Sequence, residues 1–303
     1  MGQKPDSAHD LVTQNFINIK SLAVITWNVN FSYSFPRKRI ITILNYIQNL
    51  ITSHRSNEPP IIMLQEVTED CFDVLLTRPF VQEIYDITEM SRENPNMHYG
   101  NVTLIPRAIA QNVRAVFRTR FGSSALGREA VYVDLLAPAR DAYRTIRIVN
   151  VHLESSRGRS DQARILQLSS VASFLSVPGV HGGIVGGDMN SIGPLDGLLP
   201  VELGFMDAWL ACESRMKAQE GRNARISLDE MVERDKAGHT WGYQPPTRHP
   251  PSRLDKILLK GRVSAQAIER IGVSLKVDYK VEEERVWVSD HYGLLARVQL
   301  EAE

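Results

Sequence analysis

Residues 22–28 read LAVITWN, a continuous apolar run of strand length that closes on a tryptophan and an asparagine. Such a run suits a strand buried on both faces, since it leaves no regular polar position to meet water. IIMLQ (61–65) has the same character and leads straight into Glu66. Working outward, NVTLIP (101–106), EAVYVDLLA (129–137), TIRIVNVHL (145–153), GGIVGGD (182–188), RLDKILLK (253–260) and HYGLLARVQL (291–300) read as further strands. YVDLLA and ARVQL alternate in part, as half-exposed strands do.

Helices are expected between them. Residues 37–52 carry Ile40, Ile43, Leu44, Ile47 and Leu50 at helical spacing, behind Pro36, whose missing N–H costs little at a helix start. Residues 160–175 repeat the pattern with Ile165, Leu168, Val171, Ala172 and Leu175, until Pro178-Gly179 ends it. Short connections between several strands demand antiparallel pairing, so the fold class is mixed α/β with helices covering sheets. We expect a flexible tail over 1–19 and a single domain over 20–302, with a charged, solvated insertion at about 211–238.

The 303 residues are 43% hydrophobic, and no run reaches the roughly 18–20 apolar residues of a membrane span. The N-terminus lacks the apolar stretch of a secretory signal, and Ser7 falls one place late for a myristoylation signal. Cys71 and Cys212 fit no metal or redox spacing and read as two unpaired thiols in a reducing compartment. Lys plus Arg and Asp plus Glu are both 35, so any phosphate binding must draw on a local patch.

The unusual polar residues gather at strand ends: Asn28, Glu66, the group His152, Glu154 and Ser155, then Asp188 and Asn190, Asp255, and Asp290 with His291. These types suit phosphoryl chemistry. Glu66, with Asn28 and Asp290, offers the oxygen ligands a hard cation such as Mg²⁺ prefers. Asp188 is a candidate base for an attacking water, with Asn190 fixing its position. His152 and His291 can stabilise charge on non-bridging oxygens, and Asp255 is the candidate partner that orients His291. Each fragment alone is common; the ordered set is not.

That set, TWN, QE, a strand with His, GDMN and a terminal SDH, resembles the signature of the endonuclease/exonuclease/phosphatase superfamily over residues 26–293. The resemblance implies a four-layer α/β sandwich, with two mixed β-sheets face to face and helices outside. It also implies divalent-metal hydrolysis of phosphate esters, with Mg²⁺ as cofactor and Mn²⁺ as a substitute. LQEV, HLESSRG, GGDMN, HTWGY and SDHYGLL look more specifically like the 5′-tyrosyl-DNA phosphodiesterases, which release a topoisomerase II tyrosine from DNA ends. By that resemblance Asn28, Glu66, Asp188, Asn190 and His291 are catalytic and His152 contacts the scissile phosphate. With Asp255 behind His291, these seven form the expected catalytic set, and Glu66, Asn28 and Asp290 remain the expected metal ligands. Tyr99, Ser155, Arg157 and Trp241 would contact substrate, a single-stranded DNA end carrying a 5′ phosphotyrosyl adduct. A monomer in the nucleus and/or cytoplasm, acting in DNA repair, follows from the same resemblance.

One departure stands out. The branch carries a basic residue two places after the Asn of GDxN, and here that place is Ile192. Arg157, Arg159, Arg164, Arg248 and Arg253 are other candidates for phosphate contact. The alternatives are another nuclease, a deadenylase, a phosphatase of small or lipid phosphates, or a non-enzymatic relative that binds a DNA end or a protein.

Overall fold

A computed structural model describes residues 16–32, 34–53, 58–90, 99–139, 143–156, 158–219, 236–281 and 284–301. The first sheet contains β1 (Ser21–Asn28), β2 (Ile61–Thr68), β3 (Tyr85–Ile87), β4 (Tyr99–Pro106), β11 (Val263–Ile271) and β14 (Gly293–Leu300). Their spatial order is β11-β14-β1-β2-β4-β3. The second holds β5 (Val113–Arg120), β6 (Glu129–Pro138), β7 (Tyr143–His152), β8 (Val180–Asp188), β9 (Met206–Asp207) and β10 (Asp255–Gly261). There the order is β5-β6-β7-β8-β10-β9. Both sheets are mixed: β1–β2 and β7–β8 are parallel, whereas β1–β14 and β8–β10 are antiparallel. A separate pair joins β12 (Lys276–Val281) to β13 (Glu284–Trp287).

Three apolar clusters separate four layers. In one, Ile40, Ile43, Leu44 and Ile47 of α1 (Pro36–Ser53) and Leu75 of α2 (Glu69–Thr77) meet Ile25, Trp27, Ile62 and Leu64 of the first sheet. Between the sheets, Val24, Ile61, Met63 and Val298 face Val133, Ile146, Ile148, Ile184 and Ile257. On the far side, Leu168, Val171 and Leu175 of α3 (Arg159–Leu175) cover Val149, Val151, Val185 and Leu258. The central strands are therefore apolar on both faces, which is why LAVIT and IIML show no alternation. The four-layer sandwich expected from the sequence is observed.

The glycines of GGIVGGD have steric causes. A Cβ at Gly187, whose φ is +154°, would sit 1.8 Å from the carbonyl oxygen of Val151. At Gly186 it would meet Met63 and Thr26 of the opposing sheet, so the two sheets approach closely just behind Asp188.

The expected N-terminal boundary shifts. Residues 16–19 belong to the packed body: Ile19 is buried, and Asn112 exchanges hydrogen bonds with the backbone of Ile17 (3.2 and 2.9 Å); residues 1–15 lie outside the described residues. The charged insertion begins within α4 (Ala208–Gln219), which anchors it through Cys212, buried in the inter-sheet cluster, while Ser214, Arg215 and Met216 are exposed. Residues 220–235 lie outside the described residues. Neither Cys71 nor Cys212 is in a disulfide; both are buried. Among the described residues no helix is long and apolar enough to cross a membrane.

A buried polar clasp joins the sheets beneath the strand ends. The Asn150 amide donates to the carbonyls of Leu64 (3.1 Å) and Val102 (3.0 Å), and its oxygen accepts from Gln65 Nε2 (2.8 Å). Replacing Asn150 by Leu removes its bonds to the Leu64 and Val102 carbonyls in a dry interior, at a cost of about 2–3 kcal/mol, while Gln65 keeps Thr26 and the Met63 carbonyl as acceptors. Urea unfolding should show that loss, and turnover should fall with it because Gln65 precedes Glu66.

Candidate active site

Strand pairing, parallel for β1–β2 and β7–β8 and antiparallel for β8–β10, brings the candidate positions together. Asn28 of β1 lies opposite Gln65 of β2, and on the second sheet His152 and Asp255 both lie opposite Asp188. Residues 28, 66, 152, 188 and 255, scattered through the sequence, thus converge where the two sheets face each other. Ligand sites in open α/β sheets favour this end of the parallel strands.

Local backbone irregularity aims the side chains. Register slips between Leu64 and Val67 in the β2–β4 pairing, and Glu66 within that bulge has φ +58°. Asn30 (φ +57°) and Asn190 (φ +46°) share this left-handed conformation. A glutamate pays more for it than an asparagine does, and such strain persists only where surrounding contacts enforce it. Here the Phe31 amide donates to Glu66 Oε2 (2.8 Å) and Asn28 Nδ2 to Oε1 (3.1 Å).

Asn28 is the hub. Its amide nitrogen also donates to Asp188 Oδ2 (3.0 Å), while its oxygen accepts from the Asn30 N–H (2.9 Å). That last bond fixes the amide orientation. Asn28, expected among the metal ligands, turns its N–H toward Glu66 and Asp188 and aligns the two carboxylates. Ser289, which the sequence did not single out, donates to the Asn28 carbonyl (2.6 Å) and accepts from the His291 N–H (3.0 Å). It couples the first strand to the SDH segment.

The two histidines differ in charge. Burial alone would lower the His291 imidazole, but Asp255, Asp290 and Asp188 outweigh it and hold its pKa well above the usual value. Its Nδ1 lies 2.7 Å from Asp255 Oδ2, and its Nε2 lies 3.8 Å from Asp188. Burial, then the charges of Arg128 and His291, push His152 well below the usual value, so it is neutral. Arg128 donates to His152 Nδ1 (2.7 Å). The proton of neutral His152 must then sit on Nε2, which points at Asp188 (3.5 Å) and Glu66 (3.8 Å). Asp188, buried between them, is pushed up to about 6, chiefly by desolvation and against the pull of His291. Two imidazole N–H groups thus converge on one carboxylate poised to accept a proton near neutral pH.

Other expected residues take varied places. Asn190 is buried, its side chain donating to the Leu153 carbonyl (3.0 Å) and its N–H to Asp188 Oδ1 (2.9 Å). Asp290 accepts from Asn30 (2.7 Å) and from the Trp241 indole (3.2 Å). Trp241 is half-buried and stacks on the exposed His249. Ser155 is half-buried in the loop after β7, and Arg157 lies outside the described residues. Glu154 fastens the 124–126 turn instead, accepting from Ser124 (2.6 Å) and from the Ala125 and Leu126 amides (3.1 and 3.0 Å).

Arg164 and Arg253 are not phosphate ligands. Arg164 is buried against Asp196 (2.9 Å) and the Glu154 and Ser156 carbonyls, and Arg253 pairs with Asp207 (2.8 Å). Arg159 and Arg248 are exposed. The arginine that does reach the site is Arg128, buried, with its Nε unpartnered and its guanidinium 5.5 Å from the centre of the Tyr99 ring. Nothing in the local sequence SALGREAV distinguishes it from an ordinary residue before a strand.

A structure of zebrafish (D. rerio) TDP2, humanized by 14 mutations, matches with a TM-score of 0.64 at 20% identity, covering 92% of this chain and 99% of that one. TDP2 from Caenorhabditis elegans matches at 0.63 and 19% identity over 97% and 77% of the two chains. D. rerio TDP2 complexed with a single-strand DNA product matches at 0.62 and 18% identity over 92% and 99%. At such identities these likenesses show the fold. Among curated proteins none matches by sequence. The Endonuclease/Exonuclease/phosphatase family profile matches residues 25–291, containing all the converging residues above, and the chain belongs to that family of hydrolases.

Proposed function

We propose that this chain is a divalent-metal-dependent phosphodiesterase that hydrolyses 5′-phosphotyrosyl bonds at DNA ends. The observation that carries the chemistry is the buried Asp188, raised to about 6 and flanked by one cationic and one neutral histidine. The DNA end is supported by the likeness to TDP2 structures, one of them holding a single-strand DNA product, and by aromatic side chains at the rim.

The residues fit a hard divalent cation. Glu66 and Asp188 share the Asn28 amide and face the neutral His152, and among the described residues no lysine or arginine pairs with either of them or with Asp290. The cation beside this group is His291, 3.8 Å from Asp188 and 4.0 Å from Asp290. Glu66, Asp188, Asp255 and Asp290 outnumber that single imidazolium, and the excess negative charge favours a cation with oxygen ligands. Asp188, Asp255 and His291 also place ligand atoms within 4.8 Å of one another. Their Asp255–His291 hydrogen bond fits an oriented imidazole better than a metal ligand, so we assign Mg²⁺ to Glu66 and Asp290, with Mn²⁺ as a substitute. When bound, the cation neutralises charge on the phosphoryl group.

The chain's own residues do the remainder. Asp188 accepts the proton of the attacking water, whose position Asn190 restricts. His291 and the Nε2–H of His152 donate to the non-bridging oxygens as their charge grows. Ser155 and Trp241 border the path of the nucleic acid.

Tyrosine release from a 5′-phosphotyrosyl oligonucleotide tests the proposal. Release with Mg²⁺ and none with EDTA is expected, and Glu66→Gln should weaken Mg²⁺ binding, read by calorimetry, on the order of tenfold or more. Full release in EDTA would refute the metal assignment. A specific observation favours a second reading: Ile192, half-buried after Asn190, offers no charge where a phosphate contact is expected. A folded parent that releases phosphate from small esters but no tyrosine from DNA would select it.

A further inference from the structure

Phe31 is a large apolar side chain left 42% exposed at the rim of the site. An exposed phenylalanine alone means little. This one is ordered: its ring stacks on Tyr99, with centroids 4.1 Å apart and planes at 20°. Its backbone N–H holds Glu66 Oε2 at 2.8 Å, which ties the ring to the catalytic carboxylates. Tyr99 is itself backed by the Arg128 guanidinium, 5.5 Å from its ring centre, and lies 6.4 Å from the His152 ring. An aromatic pair is therefore fixed in place on the first sheet's side of the site, and Phe31 completes it.

We propose that Phe31 is a specificity-determining residue, its ring forming with Tyr99 a wall that stacks on an aryl leaving group of the phosphate ester. The inference rests on the diesterase reading above and adds the residue that selects the leaving group. In-line displacement puts the leaving oxygen opposite the attacking water. Asp188 and Asn190, on the second sheet, define the water's side, so the leaving group departs toward Glu66, Phe31 and Tyr99. An aryl ring there begins one bond from the leaving oxygen. A nucleobase would be held off by its sugar, too far from a residue whose own amide touches Glu66. Offset stacking on such a ring is worth about two- to tenfold in affinity.

Two esters of thymidine 5′-monophosphate, 4-nitrophenyl and methyl, test the proposal, because intrinsic leaving-group reactivity cancels when variants are compared. Phe31→Ala should lower the aryl-to-methyl ratio of kcat/KM about three- to tenfold, and Phe31→Trp should restore it. An unchanged ratio overturns the proposal. Calorimetry with phenyl phosphate and methyl phosphate on Mg²⁺-loaded protein gives a readout independent of turnover. The parent should prefer phenyl phosphate, and Phe31→Ala should lose the preference. Equal affinity of the parent for the two monoesters also overturns the proposal. A phenyl preference in a protein that hydrolyses neither diester would retain the aromatic wall and sink the diesterase reading.

Discussion

Asp188→Asn should lower turnover by about 10²- to 10⁴-fold, the range of general-base catalysis, and should also raise the melting temperature at pH 8. The kinetic half follows from position. Asp188 is the one buried carboxylate that both imidazoles approach through Nε2, at 3.5 and 3.8 Å. The stability half follows from linkage. Burial lifts the Asp188 carboxyl to about 6, above the roughly 3.9 of an unfolded aspartate. Between those values the folded state holds more protons than the unfolded state, so stability falls as pH rises. Above about pH 6 the ionised group is a full liability to the fold, and below about pH 4 the difference vanishes. The neutral amide removes that liability. Scanning calorimetry in EDTA should show a gain for the variant at pH 8 and none at pH 4. A variant less stable than the parent at pH 8 would mean that the Asn28 and Asn190 hydrogen bonds to Asp188 outweigh its desolvation. Near-parental turnover would remove Asp188 from the role of base.

The same group explains why so much of the site was legible in the sequence. Asp188, Glu66, Asn28 and His152 lie at or beside the ends of apolar strands, where a polar residue interrupts the pattern that built the strand. Strands buried on both faces announce themselves as unbroken runs, so β1, β2 and β8 were readable. The edge strands were not. VRAVFRTR (β5) and VSAQAIERI (β11) mix charge with apolar residues because one side meets water, and they lack any run long enough to stand out. EDCFDVLLT (α2) is too short to establish a helical period.

Residues that act through distant partners were hidden for a different reason. Ser289 touches Asn28 across 261 positions, and Asn150 reaches Leu64 across 86. Their types are ordinary, and only the fold makes them neighbours. Arg128 and Phe31 belong to the same class. Asn28 shows the converse limit. Its type suggests an oxygen ligand, and only the fold shows that the Asn30 N–H bonds its oxygen and that its amide nitrogen faces the carboxylates. Residue type indicates which chemistry is available; the hydrogen-bond partner decides which end of the side chain performs it.

His291→Gln should lower turnover about 10²- to 10³-fold, as expected for loss of one preorganised donor to a developing oxyanion. Asp255→Asn should reproduce part of that loss and move the pH profile in a defined direction. Asp255 is the leading cause that raises the His291 pKa, against burial. Its Oδ1 is buried without a hydrogen-bond partner, and its Oδ2 lies 2.7 Å from His291 Nδ1. In the parent, kcat/KM should rise with pH through about 6 as Asp188 loses its proton. It should fall only at alkaline pH, when His291 loses the proton that its acidic neighbours retain. In Asp255→Asn the acid limb should remain and the alkaline limb should move to lower pH, because burial then acts on the imidazole with less opposition. Nitrogen NMR of the imidazole gives the same quantity without turnover. A histidine that stays protonated to the same pH in the variant would show that Asp290 and Asp188 suffice, and would reduce Asp255 to a steric support. If the alkaline limb moves up instead, the donor on the phosphate must be a neutral imidazole, and the division of labour between His291 and His152 would have to be reversed.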